Sequence, residues 1–490
     1  MRKGRTSKPV KGGKPSGENR KNVKTTWPGW GGAERLRKQV RRFAEVARIE
    51  LMSSEAFETI TLEGILAPKN LYQALLKVEA NKGSAGVDGM GTGELRRYFL
   101  EHPGELTDKI RKGEYKPSPI KRVYIPKDNG EQRPLGIPTV IDRFVQQAVT
   151  LVLSREYEKV FRNMSYGFRP NRDCRMAVRK AMEHIKDGYV WVVDLDLRKF
   201  FDTVNHSKLI QLLSERIKDG RVISLIHKFL RAQICEDGKV GKPNTIGTPQ
   251  GGVISPLLAN VLLNELDQKV EDKGIRAVRY ADDAVFFARS RKAAQRILAW
   301  VSNFIEKKLI LKVNQEKTKI LKVGSPEVQF LGFSFTNSVT KKKKARFPDY
   351  KYFPVVHRKK RTKLKEKLRA LTDRKAIGGI DVVKAKLRLA LKGWANYFKK
   401  AVPVWWRIQT DSWLHRRIRQ LLWKQWKKPR KRYEELKKRW KNAPEIGKFA
   451  YSSNRYWAMA KAYPIHQALS NQNLRDEGWY DLEKALRETR

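Results

Sequence analysis

The segment Val278–Ala288 reads VRYADDAVFFA, with a short apolar run on each side of Ala281-Asp282-Asp283. This arrangement predicts a β-hairpin with two adjacent carboxylates at its tip. Adjacent carboxylates beside apolar strands repel each other, and a divalent cation removes that electrostatic cost. The segment therefore indicates a metal site, and a solvated Asp-Asp turn is the alternative.

A second acidic segment, Val193–Leu197, reads VDLDL within a predicted strand over 189–197. Side chains repeat every two residues along a strand, so Asp194 and Asp196 would lie on the same face. Mg²⁺ binds few protein carboxylates and completes its shell with water and phosphate oxygens. Two such ions about 4 Å apart can activate a hydroxyl and stabilise a leaving oxygen in phosphoryl transfer. The two acidic segments together predict this chemistry.

The charge of the chain predicts a polyanionic partner. Its 490 residues include 105 Lys and Arg against 51 Asp and Glu, a formal net charge of +54. Apolar residues make up 40%, which excludes disorder for most of the chain. Cys174 and Cys235 are too few for a disulfide scaffold or a four-thiolate zinc site. No apolar run of about 18 residues occurs, so no membrane span is predicted.

The order of elements predicts an α+β centre followed by an all-α region. Helical periodicity marks residues 34–82 and 141–160, strands alternate with helices after that, and Lys- and Arg-rich helices follow residue 356. Asp128-Asn129-Gly130 predicts a hairpin turn. Ser255-Pro256 predicts the start of a helix, with Ser255 as its N-cap.

Several motifs follow one another in a defined order along residues 70–450. They are Ile125–Lys127 (IPK) with Arg133–Pro138 (RPLGIP), Ser165–Pro170 (SYGFRP), Asp196–Asp202 (DLRKFFD), Gly247–Gly252 (GTPQGG) with Ser255–Asn260 (SPLLAN), Tyr280–Asp283 (YADD) and Gln329–Phe333 (QFLGF). In this order they resemble the reverse transcriptases encoded by group II introns, also called maturases. The resemblance implies a right-hand polymerase fold: fingers and palm with an antiparallel sheet, then an all-α thumb or maturase domain.

Five parts of the chain are expected on this basis. They are a disordered basic tail (1–33), a helical N-terminal extension (34–115), the reverse transcriptase fingers and palm (116–345), the thumb or maturase domain X (356–450) and a C-terminal helical segment (451–490). The motif GWANYF at Gly393–Phe398 resembles the signature of domain X.

The resemblance assigns catalysis to Asp196, Asp282 and Asp283. These carboxylates would hold two Mg²⁺ ions, and the backbone carbonyl of Leu197 would add one further oxygen. Asp194 is the rival of Asp196 for the first-motif role. Asp196 is preferred because the family places an aromatic residue five positions later, and Asp194 would instead satisfy a neighbouring Lys or Arg.

The same resemblance assigns nucleotide binding to Lys127, Arg133, Phe201, Gln250 and Gly251. The two cations would hold the triphosphate. Phe201 would leave no room for a 2′-hydroxyl and so select deoxynucleotides, with Phe200 as the competing position. Gln250 would contact the sugar or the template pair, and the lack of a Cβ at Gly251 would let the backbone approach a ligand.

Domain X is also expected to bind RNA, because many of its Lys and Arg residues are clustered in the sequence. Cations that neutralise many phosphates make binding strong and salt-sensitive. The candidate cations are Arg416, Arg417, Lys424, Lys427, Lys428 and Arg430. Trp405, Trp406 and Trp426 could stack on unpaired bases, and packing in the core is the alternative for each of them.

We therefore predict an RNA-directed DNA polymerase that also binds its own group II intron RNA and assists splicing and intron mobility. Its expected partners are that RNA, an RNA template with a DNA primer or target DNA, and deoxynucleoside triphosphates, in the bacterial cytoplasm. Because no cysteine follows Cys235, we expect the smaller bacterial type that lacks a C-terminal endonuclease. The alternatives are a non-catalytic RNA-binding splicing factor and a host-recruited reverse transcriptase for repair or defence.

Overall fold

The computed structural model describes residues 60–126, 130–339, 345–373, 379–440 and 446–489. The predicted basic tail, residues 34–59 of the predicted N-terminal extension and three residues of the predicted fingers lie outside the described residues. Those three residues are Lys127, Asp128 and Asn129.

The secondary structure elements are numbered in chain order. The strands are β1 (Ile120–Pro126), β2 (Gln132–Ile137), β3 (Trp191–Leu195), β4 (Ile234–Glu236), β5 (Lys239–Val240), β6 (Arg276–Tyr280), β7 (Asp283–Ala288), β8 (Lys319–Lys322), β9 (Phe333–Thr336) and β10 (Phe353–Val356). The helices are α1 (Leu62–Leu66), α2 (Pro68–Asn81), α3 (Leu95–Glu101), α4 (Glu105–Arg111), α5 (Val140–Glu158), α6 (Cys174–Lys186), α7 (Phe200–Thr203), α8 (His206–Arg216), α9 (Gly220–Leu230), α10 (Ser255–Asp272), α11 (Arg291–Lys308), α12 (Arg358–Leu371), α13 (Gly379–Phe398), α14 (Val404–Gln425), α15 (Pro429–Arg439), α16 (Ile446–Ala450), α17 (Tyr456–Met459), α18 (Tyr463–Ala468), α19 (Asn471–Asp476) and α20 (Leu482–Glu488).

The N-terminal helices pack on α5. Helix α2 begins at Pro68, whose missing N–H costs nothing in a first turn. Helix α5 begins after Thr139, whose Oγ1 accepts the N–H of Asp142 at 3.2 Å. Ala74 and Val149 are fully buried in the core that these helices share. The helical prediction for this region is confirmed over residues 62–81, and its part over residues 34–59 lies outside the described residues.

The predicted fingers contain a sheet in the order β2-β1-β4-β5. Strands β1 and β2 are antiparallel, with Ile125 opposite Arg133, and the predicted turn that would join them lies partly outside the described residues. Strand β4 pairs with β1 in parallel. This sheet places the RPLGIP run beside the loop that precedes α10, since the N–H of Gly136 donates to the carbonyl of Gln250.

The predicted palm is an antiparallel sheet in the order β6-β7-β3-β8. Its two faces are buried by alternate residues of the same strands. Val193 and Phe286 pack with α10 and α11, whereas Val192 and Phe287 pack with α6. Both faces of the sheet are therefore covered, which leaves the strand ends as its accessible part.

Two local predictions differ from the structure. Strand β3 ends at Leu195, because the N–H of Asp196 donates to Oγ1 of Thr318 at 3.2 Å and leaves the ladder. Ser255 is not the N-cap of α10 but its first residue. Its hydroxyl donates to the carbonyl of Pro249 at 2.8 Å, so it ties the preceding loop to the helix.

After the β9–β10 pair, the chain is helical in the described ranges. The apolar face of α13 is buried, including Val383, Leu387 and Leu391. The C-terminal helices join the same core, because α20 packs against α13 and Trp479 is buried with these residues. The division predicted at residue 451 therefore does not separate two cores. None of the described helices combines the length and apolar character needed to cross a bilayer.

Candidate active site

The hairpin between β6 and β7 carries Asp282 and Asp283 at its tip. Tyr280 pairs with Asp283, so Ala281 and Asp282 form a two-residue turn. Ala281 has a φ of 59°, a left-handed conformation that is uncommon for a residue with a Cβ. The tip therefore depends on support from outside the hairpin.

That support comes from Arg279, whose side chain is 1% exposed. Its guanidinium forms an ion pair with Asp267 at 2.5 Å. Nη1 donates to the carbonyl of Ala281 and to Oδ1 of Asn260, both at 2.9 Å. One guanidinium thus links the left-handed residue of the tip to α10, which carries Asp267 and Asn260.

The SYGFRP motif lies against the same tip. The N–H of Tyr166 donates to the carbonyl of Arg279 at 2.9 Å, and Nδ2 of Asn260 donates to the carbonyl of Gly167 at 2.9 Å. A Cβ on Gly167 would lie 2.3 Å from the backbone nitrogen of Ala281, so no larger residue fits there. This motif is a scaffold for the tip.

The supporting residues Arg279 and Asp267 were not predicted as site residues. A signal for them exists in the sequence, because Arg279 follows Ala277-Val278 in a short strand and Asp267 follows Leu266 in a helix rich in apolar residues. Such charges are rarely buried unless they are paired. The sequence does not say which partner each one takes.

Asp196 lies beside the hairpin. Strand β3 is antiparallel to β7 in a register that places Asp196 next to Asp283. Nδ2 of Asn314 donates to the Asp196 carboxylate at 2.9 Å, and Nζ of Lys317 lies 3.9 Å from the same oxygen. The structure thus brings together the two acidic segments that the sequence analysis paired.

Burial controls the electrostatics of this site. Asp283 can be reached from the cleft, yet the surrounding protein removes enough water to raise its pKa to about 6, and the charges of Asp282 and Asp196 add to the shift. Burial also raises the pKa of Asp282, whereas the nearby Arg133 lowers it. A cleft that holds like charges with little water favours a bound cation.

The donors in this cleft are carboxylate and carbonyl oxygens. Within the part of the chain that the structure describes, no three His, Cys, Asp or Glu side chains converge to enclose one ion. A hard divalent cation needs only one or two protein carboxylates, because water and substrate phosphates supply its other ligands. The predicted carbonyl ligand, Leu197, is held next to Asp196 by a bridge with Val313. This donor set fits such a cation.

A cavity of about 1020 Å³ opens beside the carboxylates. Its walls combine the palm and the following helices, with Asp196 and Asp283 on one side and Lys360 and Tyr397 on the other. The cavity is therefore a cleft with an acidic floor and a cationic wall.

The turn Leu331–Gly332 lines the same cavity and is fixed by α13. The hydroxyl of Tyr397 donates to the carbonyl of Leu331 at 3.1 Å. Gly332 has a φ of 83°, and a Cβ there would lie 3.2 Å from the ring of Phe398. The GWANYF motif thus packs directly on the QFLGF motif.

Two family descriptions match consecutive parts of the chain. Residues 125–335 match "Reverse transcriptase (RNA-dependent DNA polymerase)", and residues 361–440 match "Group II intron, maturase-specific domain". Protein YkfC of Escherichia coli (strain K12) is 32% identical over 355 residues, which cover 64% of this chain and 91% of YkfC. The chain belongs to the group II intron reverse transcriptase/maturase family. The predicted fold class and the predicted combination of polymerase and maturase are confirmed.

Other relatives are longer than the matched region. Group II intron-encoded protein LtrA of Lactococcus lactis subsp. cremoris is 31% identical over 334 residues, 55% of each protein. The "Putative COX1/OXI3 intron 2 protein" of Saccharomyces cerevisiae is 27% identical over 351 residues, 59% of this chain and 41% of that protein. A chain of the solved "Partial Cas6-RT-Cas1--Cas2 complex" is 24% identical, with 50% of this chain and 42% of that chain covered and a TM-score of 0.33.

In this reverse transcriptase, the GTPQGG loop lies between the fingers sheet and Phe201. The N–H of Thr248 donates to the carbonyl of Phe201 at 2.7 Å, and the N–H of Gly136 donates to the carbonyl of Gln250 at 2.6 Å. Gly251 has a φ of 116°, and a Cβ there would lie 2.3 Å from the carbonyl oxygen of Gly136. Gly251, which was predicted to let a ligand approach, therefore lacks a Cβ because its backbone lies against Gly136 of the fingers sheet.

The two candidate gate residues differ in exposure. Phe200 is buried in the core, whereas Phe201 is half-buried and packs edge-on against it at a centroid distance of 5.1 Å. Phe201 is therefore the ring that is accessible from outside the core. Arg133 is exposed on β2 and acts electrostatically on Asp282, which places it near the β6–β7 tip.

Asp194 lies within the same reverse transcriptase cleft without an ion pair in the described residues. Lys319 is opposite Asp194 on β8, but its Nζ pairs with Glu327 at 2.9 Å. Burial raises the pKa of Asp194 to about 7, the charges of Asp283 and Asp196 add to the shift, and Lys319 opposes it.

These raised pKa values predict how pH affects the metal-free protein. An Asp with a folded-state pKa above its unfolded value favours the folded state when protonated, so this stabilisation is lost as the pH rises from about 4 to about 7. We expect Asp194→Asn to raise the melting temperature in EDTA more at pH 8 than at pH 5, because at pH 5 only part of this stabilisation has been lost. Thermal unfolding at both pH values tests this, and a lower melting temperature at pH 8 would contradict it. Mg²⁺ should stabilise the wild type more at pH 8 than at pH 5.

The predicted RNA-binding cations of the maturase domain have different surroundings. Arg416 stacks on Trp457 at 3.7 Å and donates to its carbonyl at 2.9 Å. Arg417 donates to Oγ1 of Thr372 at 2.7 Å. Both guanidinium groups thus make contacts inside the domain. The others are exposed or half-buried: Lys424, Lys427, Lys428 and Arg430.

Proposed function

We propose that the chain copies RNA into DNA by nucleotidyl transfer at Asp196, Asp282 and Asp283, with two Mg²⁺ ions as the cofactor. The observation that carries this proposal is the meeting of a carboxylate just after β3 with one from the β6–β7 tip in one cleft. When bound, the ions would activate the 3′-hydroxyl of the primer and stabilise the leaving oxygen. Asp196 and Asp282 would be the main ligands, with the Leu197 carbonyl adding one oxygen.

The incoming deoxynucleotide would lie between the fingers and the palm. Arg133 and Lys127 would hold its triphosphate, because Arg offers a planar fork and Lys a compact charge. Gln250 and Gly251 belong to the loop that closes on β2, and this position supports a contact with the sugar or the template pair.

Phe201→Ala is expected to let the enzyme incorporate ribonucleotides. The accessible ring would occupy the space of a 2′-hydroxyl, and its removal opens that space. The measurement is the ratio of kcat/KM for a deoxynucleotide to that for the matching ribonucleotide. Phe201→Tyr keeps the ring and should keep the ratio. An unchanged ratio in Phe201→Ala would argue against the gate.

We infer that the maturase domain binds group II intron RNA and so assists splicing and mobility, in the bacterial cytoplasm where that RNA would be transcribed. The net charge of +54 and the exposed cations Lys427, Lys428 and Arg430 support a phosphate-rich partner. The RNA template with its DNA primer, or the target DNA, would occupy the cleft.

Primer extension on an RNA template tests the proposed activity. We expect a DNA product that requires both Mg²⁺ and deoxynucleoside triphosphates. No product from a protein that still binds intron RNA would favour a non-catalytic splicing factor. The nucleotide sequence around the gene tests the alternative of a host-recruited reverse transcriptase for repair or defence, because the gene of such an enzyme would not lie within an intron.

A further inference from the structure

The surface between α12 and α14 is separate from the polymerase cleft. The two helices run side by side in the same direction, since Arg361 lies against Trp405 and Arg369 lies against Trp413, eight residues later on both helices. Eight helical residues span about 12 Å. We refer to this surface as the Trp405 platform. It consists of Arg361, Lys365, Arg369, Trp405, Ile408 and Trp413.

The platform exposes apolar side chains that a folded domain normally buries. Trp405 and Ile408, one helical turn apart, are each 57% exposed. The neighbouring Trp406 is 4% exposed and Trp426 is 5% exposed, so both belong to the core. Of the three tryptophans for which stacking was considered, Trp405 is the one that offers an accessible ring. An exposed apolar cluster of this kind typically marks a binding surface.

Arg361 holds a charge directly against this ring. Its guanidinium carbon lies 5.4 Å from the ring centroid of Trp405 and 6.0 Å from that of Trp406. The Nε of Arg361 is buried without a hydrogen-bond partner, and the described ranges contain no ion pair of Arg361. The two rings thus hold a guanidinium whose charge is not neutralised by the protein.

The surroundings select an anionic occupant. Helix α12 has the sequence RKKRTKLKEKLRAL, with eight Lys or Arg and one acidic residue, Glu366. A single-stranded nucleic acid suits both features, because its phosphates match the positive charge and its unpaired bases can stack on the exposed ring. A duplex does not, because the faces of its bases are stacked inside it.

We propose that the Trp405 platform binds unpaired RNA, with a base stacked on Trp405 and the adjacent phosphates beside Arg361, Lys365 and Arg369. The choice of RNA over DNA rests on the proposed function, since the platform lies in the maturase-specific region. The platform would hold a single-stranded segment of the intron while the cleft remains open to template and primer.

The test uses the full chain and a single-stranded 12-nucleotide oligoribonucleotide with 2-aminopurine at its centre. We expect Trp405→Ala to weaken binding about tenfold, as loss of one base–aromatic stack does, and to remove the quenching of 2-aminopurine. Trp405→Phe should restore most of the affinity. Arg361→Gln should reduce the slope of log affinity against log salt by about 0.7. Tyr463→Ala, an equally accessible aromatic outside the platform at 66% exposure, is the matched control and should bind normally.

Primer extension on a preformed RNA–DNA hybrid separates this proposal from the proposed function. Trp405→Ala should extend that hybrid at the wild-type rate, because the ring is outside the cleft. Unchanged affinity for the oligoribonucleotide in Trp405→Ala would overturn the platform. An equal or larger loss for the oligodeoxynucleotide of the same sequence would overturn its assignment to RNA. A wild type that does not extend the hybrid would contradict the polymerase proposal and leave the affinity comparison intact.

Discussion

Asp282→Ala should reduce DNA synthesis by more than about 100-fold, since even groups that merely orient a metal ligand contribute about 10–100-fold. The Asp282 carboxylate lies at the tip of the β6–β7 hairpin, next to Asp283, which lines the acidic floor of the cleft. The affinity for intron RNA should persist, because it depends on contacts between RNA phosphates and cations outside this hairpin. Primer extension and RNA binding, measured on the same preparation, test both expectations.

Asp272→Ala is the matched control for this variant. Asp272 is an exposed carboxylate at the end of α10 that pairs with Lys269 at 3.0 Å, and it should be dispensable for synthesis. Normal synthesis by Asp282→Ala would show that the catalytic metal site is elsewhere. Loss of both synthesis and RNA binding would instead indicate that the variant does not fold.

Arg279→Met is expected to lower the free energy of unfolding by about 3–5 kcal/mol, because it leaves Asp267 buried without its partner. The variant should also lose synthesis, since the carbonyl of Ala281 loses its donor and the tip is no longer held. Urea unfolding and primer extension measure the two effects. Arg276→Met, on the exposed end of the same strand, is the control and should change neither.

The double variant Arg279→Met/Asp267→Leu separates stability from positioning. Replacing both partners of a buried ion pair with apolar residues is often neutral for stability. We therefore expect the double variant to unfold at nearly the wild-type urea concentration and still to synthesise DNA poorly. Full recovery of synthesis would mean that Arg279 supports the fold without positioning the β6–β7 tip.

The sequence predicted the elements whose pattern is local. The helix over 141–160, the strands on either side of Ala281–Asp283 and the apolar face of α13 follow from periodicity within one element, and the structure has them. The pairing of the two acidic segments followed from the chemistry of carboxylates. Ser255 shows the limit of such patterns, because a contact with Pro249 decides what its hydroxyl does.

Other features depend on which distant segments meet. Trp405 and Trp406 are adjacent and identical in type, yet one is exposed and the other buried, because successive residues point about 100° apart around a helix and only the neighbours decide which direction is inward. Arg417 looks like a surface cation in the sequence and makes its contacts with Thr372 on another helix.

The sequence by itself determined the local elements, the excess of positive charge and the two acidic segments that the structure brings together at the cleft. The tertiary structure decided how that cleft is held: Arg279 pairs with Asp267, Gly167 fits under Ala281, and Gly251 closes on Gly136. These contacts join residues far apart in the chain, and their geometry depends on the packing of whole helices and strands. No local pattern of residues encodes that packing.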